Sequence, residues 1–354
     1  MIKLLIVDDS ALMRRQLATV FEAEGDFAIR QARNGREAVE EARGFQPDVV
    51  TLDINMPEMD GITALSLIMV EHPVPIVMVS SLTEKGALAT FEALNLGAVD
   101  YVTKPGGTIS LSIEAVKKEL VSKVRAAARA RIKPKSSGVR GLTARIREER
   151  SRPSASPPKD LPIRDGVVVV GVSTGGPRTL EDILPILPAD FPWPILIAQH
   201  MPGSFTRAFA ERLNSISAMR VVEASGPMPI EPGTAYVAKG GADMALGLRA
   251  GKLNVIVKPE KAEFLWHPSV ELLGRSVLEH VDPKKVVGVM LTGMGHDGAD
   301  SFTEIKKRGG RTIAESEESS VVFGMPSELI DRGGATVVLP SDRIAAQLCH
   351  WAGR

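Results

Sequence analysis

The sequence predicts an α/β protein of two doubly wound, parallel-sheet domains joined by a linker. Three observations predict it. Short apolar runs rich in Val, Ile and Leu alternate with segments of helical spacing, the pattern of a parallel sheet covered by helices. Many of those runs end on residues that carry chemistry: Asp8-Asp9-Ser10, Asp53, Ser80, Lys104, Ser173, His200 and Asp297. Between the two series the composition shifts to Arg, Lys, Pro and Ser. The 354 residues suit about two domains. They are expected at 1–124 and 164–354, with a linker at 125–163.

Composition excludes several classes. The formal net charge is zero, so there is no bulk electrostatic case for nucleic acid or an anionic membrane. Cys349 is the only cysteine, which excludes an internal disulfide and a thiolate zinc cluster and fits a reducing compartment. Met1-Ile2-Lys3-Leu4 runs into an acidic pair within ten positions, unlike a signal peptide. No apolar run approaches the roughly 20 residues of a membrane span. A cytoplasmic protein with no nucleic-acid partner and no membrane insertion is expected.

In the first domain, Leu4 to Val7 reads as a strand and Ala11 to Glu24 as a helix with Leu12, Leu17 and Phe21 on one side. Ser10 stands at its N-cap position. Phe27 to Ala32 is a second strand. After the Asn34-Gly35 turn, Arg36 to Gly44 is a helix. Asp48 to Leu52 is a third strand, ending at Asp53. Ile76 to Val79 and Tyr101 to Thr103 are the fourth and fifth, ending at Ser80 and Lys104. Ligands of such sheets bind at the carboxyl ends of strands. Asp8, Asp9, Asp53, Ser80 and Lys104 therefore fall on one rim. Three crowded carboxylates suit a hard cation such as Mg²⁺. A carboxylate beside that ion can attack a phosphoryl donor and form an aspartyl phosphate.

Leu111 to Arg131 has helical spacing, with Ile113, Val116, Leu120 and Val124 as its stripe. The basic segment beyond it, ending in Pro153 to Pro158, reads as a solvated tether that lets two domains meet and part. A basic arm for nucleic acid is the weaker reading, because no aromatics are interleaved.

In the second domain, Val167 to Val170 feeds the loop Gly171-Val172-Ser173-Thr174-Gly175-Gly176-Pro177, and Arg178 to Leu187 is helix-like. Pro194 to Ala198 ends in Gln199-His200-Met201-Pro202, and Thr206 to Leu213 is a helix. Tyr236 to Ala238, Leu253 to Val257, Thr312 to Ala314 and Thr336 to Leu339 are further strands. Val286 to Leu291 runs into Thr292-Gly293-Met294-Gly295-His296-Asp297. Ser173, His200 and Asp297 each follow an apolar strand, so one rim can hold all three. A neutral histidine can take the proton of an attacking serine, and a carboxylate can fix the imidazole tautomer.

Taken singly, these signals stay open. Gly171-x-Ser173-x-Gly175 matches the nucleophile elbow of α/β-hydrolases, but that fold orders its triad Ser, Asp, His. The loop also suits a phosphate at a helix N-terminus, although it has no P-loop lysine. His200 suits a structural histidine, and Asp297 a turn. No His/Asp/Glu set has zinc spacing, so no catalytic-domain cofactor is expected.

The first domain resembles the receiver domain of response regulators. The resemblance rests on Val7-Asp8-Asp9-Ser10, Leu52-Asp53-Ile54-Asn55-Met56-Pro57, Met59-Asp60-Gly61, Ser80 and Tyr101-Val102-Thr103-Lys104-Pro105. It implies Asp53 as phosphoacceptor, with Asp8, Asp9, Asp53 and the Asn55 carbonyl around Mg²⁺. It further implies that Ser80 and Lys104 contact the phosphoryl group and that Tyr101 is a rotamer switch.

The second domain resembles the chemotaxis protein-glutamate methylesterase family. That likeness rests on Ser173 to Pro177, Gln199 to Pro202 with Phe205-Thr206, Pro268-Ser269-Val270, Leu291 to Ala299 and Val322 to Pro326. It implies Ser173 as nucleophile, His200 as base and acid, Asp297 as orienter, Met294 as backbone oxyanion donor and Thr174 beside the reacting atoms. The implied substrates are γ-glutamyl methyl esters on cytoplasmic helices of methyl-accepting chemoreceptors, often with deamidation of glutamines there. The implied phosphodonor is a chemotaxis histidine kinase, and the unphosphorylated receiver would cover the serine. Lys239, Asp243, His267 and Glu271 depart from the family pattern, which bears on substrate contact and receptor choice. The competing readings are a regulator whose second domain only binds a partner, and an esterase or amidase for another substrate.

Overall fold

The computed structural model describes residues 1–80, 84–104, 109–130 and 165–353, and the side chains of all of these except 80, 84, 85 and 109–116. The Ser80 side chain, Pro105 and most of the expected linker therefore lie outside the described residues.

The first unit alternates strand and helix: β1 Ile2–Val7, α1 Ala11–Glu22, β2 Phe27–Ala32, α2 Gly35–Phe45, β3 Val49–Asp53, α3 Gly61–Glu71, β4 Ile76–Ser80, α4 Glu84–Leu96, β5 Asp100–Thr103 and α5 Ile109–Ala128. Helices α1, α2 and α3 start on Ser10, Asn34 and Asp60. Each cap side chain accepts from the backbone N–H three residues on, which satisfies an otherwise orphaned donor. The strands form one parallel sheet in the order β2-β1-β3-β4-β5. The order reverses between β1 and β3, so a crevice opens beyond their carboxyl ends. Helix α5 runs on to Ala128, and Arg125 ties it to Asp26 and Glu24.

The second unit contains β6 Val167–Val172, α6 Gly176–Ile183, β7 Ile195–Gln199, α7 Gly203–Ile216, β8 Arg220–Ala224, β9 Met228–Pro229, β10 Thr234–Ala238, β11 Asp243–Arg249 and β12 Lys252–Lys258. It continues with α8 Val270–His280, β13 Val286–Met290, α9 Ala299–Lys307, β14 Arg311–Glu315, α10 Met325–Asp331, β15 Val337–Leu339 and α11 Ser341–Trp351. Seven strands make a parallel sheet, β15-β14-β13-β6-β7-β10-β8. The chain winds outward from β6 in both directions, through β7 on one side and β13 on the other.

The segment expected as a strand at Leu253 to Val257 lies instead in a separate antiparallel sheet, β11-β12-β9. The physical reason is local. Ala250 and Gly251 form a two-residue, positive-φ turn between paired Arg249 and Lys252, which joins only antiparallel strands.

Strand periodicity sorts the β6 side chains. Val168, Val170 and Val172 enter one apolar cluster, Val167 and Val169 another on the opposite face. The first cluster does not stop at the domain boundary. It joins Phe91, Leu94 and Tyr101 of the first unit to Leu180, Phe205 and Phe209 of the second. Among the described residues, no helix is long and apolar enough to cross a membrane.

Candidate active site

Ser173, His200 and Asp297 follow β6, β7 and β13, the three central strands of the seven-stranded sheet. They therefore stand at the switch point, where strand order reverses and a crevice opens. The backbone fixes Ser173 from both sides. Its N–H donates to the Thr292 carbonyl (3.0 Å), and its carbonyl accepts from Gly176 N (2.8 Å) and Gln199 Nε2 (3.0 Å). His200 Nε2 lies 2.9 Å from Asp297 Oδ2. A carboxylate only accepts, so Nε2 carries the proton and Nδ1 keeps its lone pair. That Nδ1 is buried, with no hydrogen-bond partner among the described residues. The imidazole thus has one nitrogen committed and one in reserve, the arrangement a general base needs.

Asp297 is held as tightly as the histidine it holds. Its Oδ1 accepts from Ser269 Oγ (3.1 Å) and the Glu271 N–H (2.9 Å), and its Oδ2 from the Val270 N–H (2.7 Å). Those donors form the first turn of α8, where the helix dipole favours an anion. Burial would raise the Asp297 pKa. The His200 imidazole and the Glu271 and Val270 N–H groups outweigh it and hold the carboxyl below the usual aspartate range.

Ser173, Thr174, His200 and Met294 line a cavity of about 630 Å³. Its opposite wall belongs to the first unit: Thr103, Lys118, Glu119, Ser122 and Lys123. Thr174 Oγ1 donates to Asp100 Oδ2 across the boundary (2.6 Å), so its hydroxyl is engaged by the other domain. Ser122 Oγ meets Met294 Sδ at 3.5 Å. The Tyr101 ring stacks on Phe205 at 4.6 Å, and Phe91 stacks on Phe209 at 5.5 Å. Tyr101 is buried, and its hydroxyl has no hydrogen-bond partner among the described residues. Burial, with Asp100 and Glu119 nearby, pushes the phenol well above its ordinary pKa, so it stays neutral.

In the first unit Asp8, Asp9 and Asp53 each bring a carboxylate oxygen within 4.8 Å of the others. Asp8 and Asp53 are buried, and Asp9 is exposed. Lys104 Nζ lies 2.9 Å from Asp8 Oδ2 and 2.7 Å from Asp53 Oδ2. The Asn55 N–H donates to Asp53 Oδ1 at 3.4 Å. Burial raises the Asp53 pKa, the Asp8 charge adds to it, and Lys104 only partly offsets them. For Lys104 the balance reverses: burial works to lower its pKa, but the two carboxylates leave it raised. Three oxygen donors around an electrostatically strained pair fit a hard divalent cation, which takes carboxylate ligands and keeps waters.

The family model for the CheB methylesterase matches residues 168–348, and that for the response regulator receiver domain matches 4–115. The chain is 55% identical over its whole length to protein-glutamate methylesterase/protein-glutamine glutaminase 3 of Rhodospirillum rubrum, covering 97% of that protein. It is 49% identical, over 97% of its own length and 95% of the relative's, to the protein-glutamate methylesterase/protein-glutamine glutaminase of Caldanaerobacter subterraneus subsp. tengcongensis. The chain belongs to the CheB methylesterase family. The CheB methylesterase catalytic domain of Thermotoga maritima superposes with a TM-score of 0.51 at 39% identity, covering 53% of this chain and 99% of that domain.

Two positions in this CheB-family chain, Asp100 and Trp266, escaped the sequence reading. Asp100 carries no motif signal of its own, and Ser269, which stands in the Pro268-Ser269-Val270 motif, shows its role only through its hydrogen bond to Asp297. Trp266 stacks on the His200 ring with centroids 5.4 Å apart and planes 2° apart. Two of the departures explain one another: His267 Nδ1 lies 3.0 Å from Oδ2 of the buried Asp243, whose Oδ1 accepts the Ser269 N–H (2.7 Å). Glu271 is structural, with its carboxylate bonded to Arg275 Nε (2.7 Å) and the Ser301 N–H (2.9 Å). Lys239 lies in the loop between β10 and β11.

Proposed function

We propose that this chain is a phosphorylation-controlled hydrolase. It demethylates glutamate methyl esters on chemoreceptor helices and deamidates glutamines there. Ser173 Oγ attacks the ester carbonyl while His200 Nδ1 accepts its proton, and Asp297 holds the Nε2–H and balances the imidazolium. The oxyanion of the tetrahedral intermediate is met by backbone N–H donors including that of Met294. Collapse breaks the C–O bond to the leaving group, and His200 returns the proton to give methanol and an acyl-serine. Water, deprotonated by His200, then attacks the acyl carbonyl, and collapse releases the glutamate side chain and protonates Ser173. With glutamine the same steps release ammonia.

Control comes from the receiver. Asp53 accepts a phosphoryl group from a histidine kinase. Asp8, Asp9, Asp53 and the Asn55 carbonyl would hold Mg²⁺, which offsets negative charge on the transferring group. Lys104 and Ser80 contact that group once it is attached. Tyr101 leaves its place on Phe205, and the wall over Ser173 loosens. When the open form is the minor state, only ~1.4 kcal/mol changes its population tenfold.

The observation that carries this reading is the buried Asp297–His200 pair in the crevice of Ser173, walled by a receiver. The test is methanol release from methylated receptor membranes. Ser173→Ala should abolish it, and full activity in that variant would sink the catalytic claim.

A further inference from the structure

The residue stacked on the His200 ring is an indole. We propose that Trp266 is a positioning residue for His200: it holds the imidazole plane and stabilises the imidazolium formed during turnover. This rests on the reading of His200 as the general base.

The slot for Trp266 is built from several sides. The indole lies parallel to the His200 ring, as given above, and the His296 ring meets it edge-on at 5.6 Å and 85°. Gly295 makes room for it: a Cβ there would lie 3.0 Å from Trp266 Cζ2, and its φ of +91° suits only glycine. Burial does not account for the position. Trp193 and Trp351 are each 1% exposed, whereas Trp266 is only partly buried in the loop between β12 and α8.

Parallel stacking puts the π-face within the range over which an aromatic ring attracts a cation. Asp297 fixes one edge of the imidazole, and Trp266 restrains rotation about the ring plane. The other ionisable groups around the cavity are Lys118, Glu119, Lys123, Glu260 and His267, the last bonded to Asp243. None of them is stacked on His200, so the indole is the group whose removal acts on the ring itself.

The sign follows. If the indole stabilises imidazolium, its loss disfavours the protonated form of the base. The acidic limb of the pH–rate profile then moves to lower pH while kcat falls. In the full-length protein with a small phosphodonor, Trp266→Ala should lower kcat about 5- to 30-fold and move that limb down by about half a unit or more, with KM within about threefold. Trp266→Phe, which keeps a ring face, should recover most of kcat.

A second readout does not depend on turnover. The Trp266 contribution to fluorescence, taken as wild type minus Trp266→Phe, should be quenched on acidification, and His200→Gln should abolish that quenching. Unchanged kcat and pH profile in Trp266→Ala overturns the proposal. So does quenching that survives His200→Gln but vanishes in His296→Asn. Full activity of His200→Gln would instead overturn the underlying triad reading, so the two failures are distinguishable.

Discussion

The hydroxyl of Thr174, the residue after Ser173, donates to Asp100 of the receiver at 2.6 Å, and both groups are buried. Asp100 is the residue before Tyr101. One hydrogen bond thus links the neighbour of the expected nucleophile to the neighbour of the expected switch. Lys123 reinforces it, with Nζ 2.8 Å from the Tyr101 carbonyl and 3.4 Å from Asp100 Oδ1.

Asp100→Ala should therefore raise methanol release without any phosphodonor. A hydrogen bond to a charged group contributes about 1.5–3 kcal/mol, so basal activity should rise roughly tenfold or more. Thr174→Val should raise receiver detachment, scored by protease sensitivity of the domain boundary, and should be non-additive with Asp100→Ala.

Asp297→Asn should leave the fold recognisable by circular dichroism but lower kcat about 10³- to 10⁴-fold. An amide in place of the carboxylate no longer balances the imidazolium, and it reverses the tautomer that leaves His200 Nδ1 free.

The same carboxylate predicts a pH effect on stability. Its folded-state pKa lies below the ordinary 3.8. A depressed pKa means that the unfolded chain binds the proton more readily, so this stabilisation is present above 3.8 and lost as pH falls through the folded value. Urea unfolding of the wild type between pH 5 and pH 2.5 should therefore show a steeper loss than that of Asp297→Asn.

Gly293→Ala tests the support beneath the serine. Its Cβ would lie 2.7 Å from Ser173 Cβ and 2.5 Å from Met325 Sδ. One of them must move, and overpacking of this kind costs about 1–3 kcal/mol. Activity should fall about 100-fold, since misplacement near 1 Å is enough for that, with a loss of only a few degrees in Tm.

Millimolar Mg²⁺ should raise the Tm of the receiver transition, as expected of a cation held by the folded carboxylate cluster and not by the unfolded chain. Chelation should reverse the shift. Asp9→Asn should abolish it, and Asp53→Asn should also remove stimulation by a phosphodonor.

Much of the fold was legible because the strands are nearly pure Val, Ile and Leu and end where chemistry begins. Val167 to Val170 and Val286 to Leu291 mark two central strands, and the ends of β6, β7 and β13 carry Ser173, His200 and Asp297. What stayed hidden depends on tertiary placement. Leu253 to Val257 reads like any buried strand, and only the turn at Ala250-Gly251 sets its direction. Asp100 looks like a loop acid until Thr174 is brought to it from another domain. Trp266 has no periodicity to betray it, since a loop residue shows its partner only after β7 and the β12–α8 segment meet.

If the receiver covers Ser173 as proposed, the apolar cluster that runs from Tyr101 and Phe91 into Phe205 and Phe209 makes the covered state a thermometer as well as a lock. Opening this seam exposes aromatic and aliphatic surface, and the penalty for doing so shrinks on cooling. The ratio of unstimulated to stimulated turnover should therefore climb in the cold.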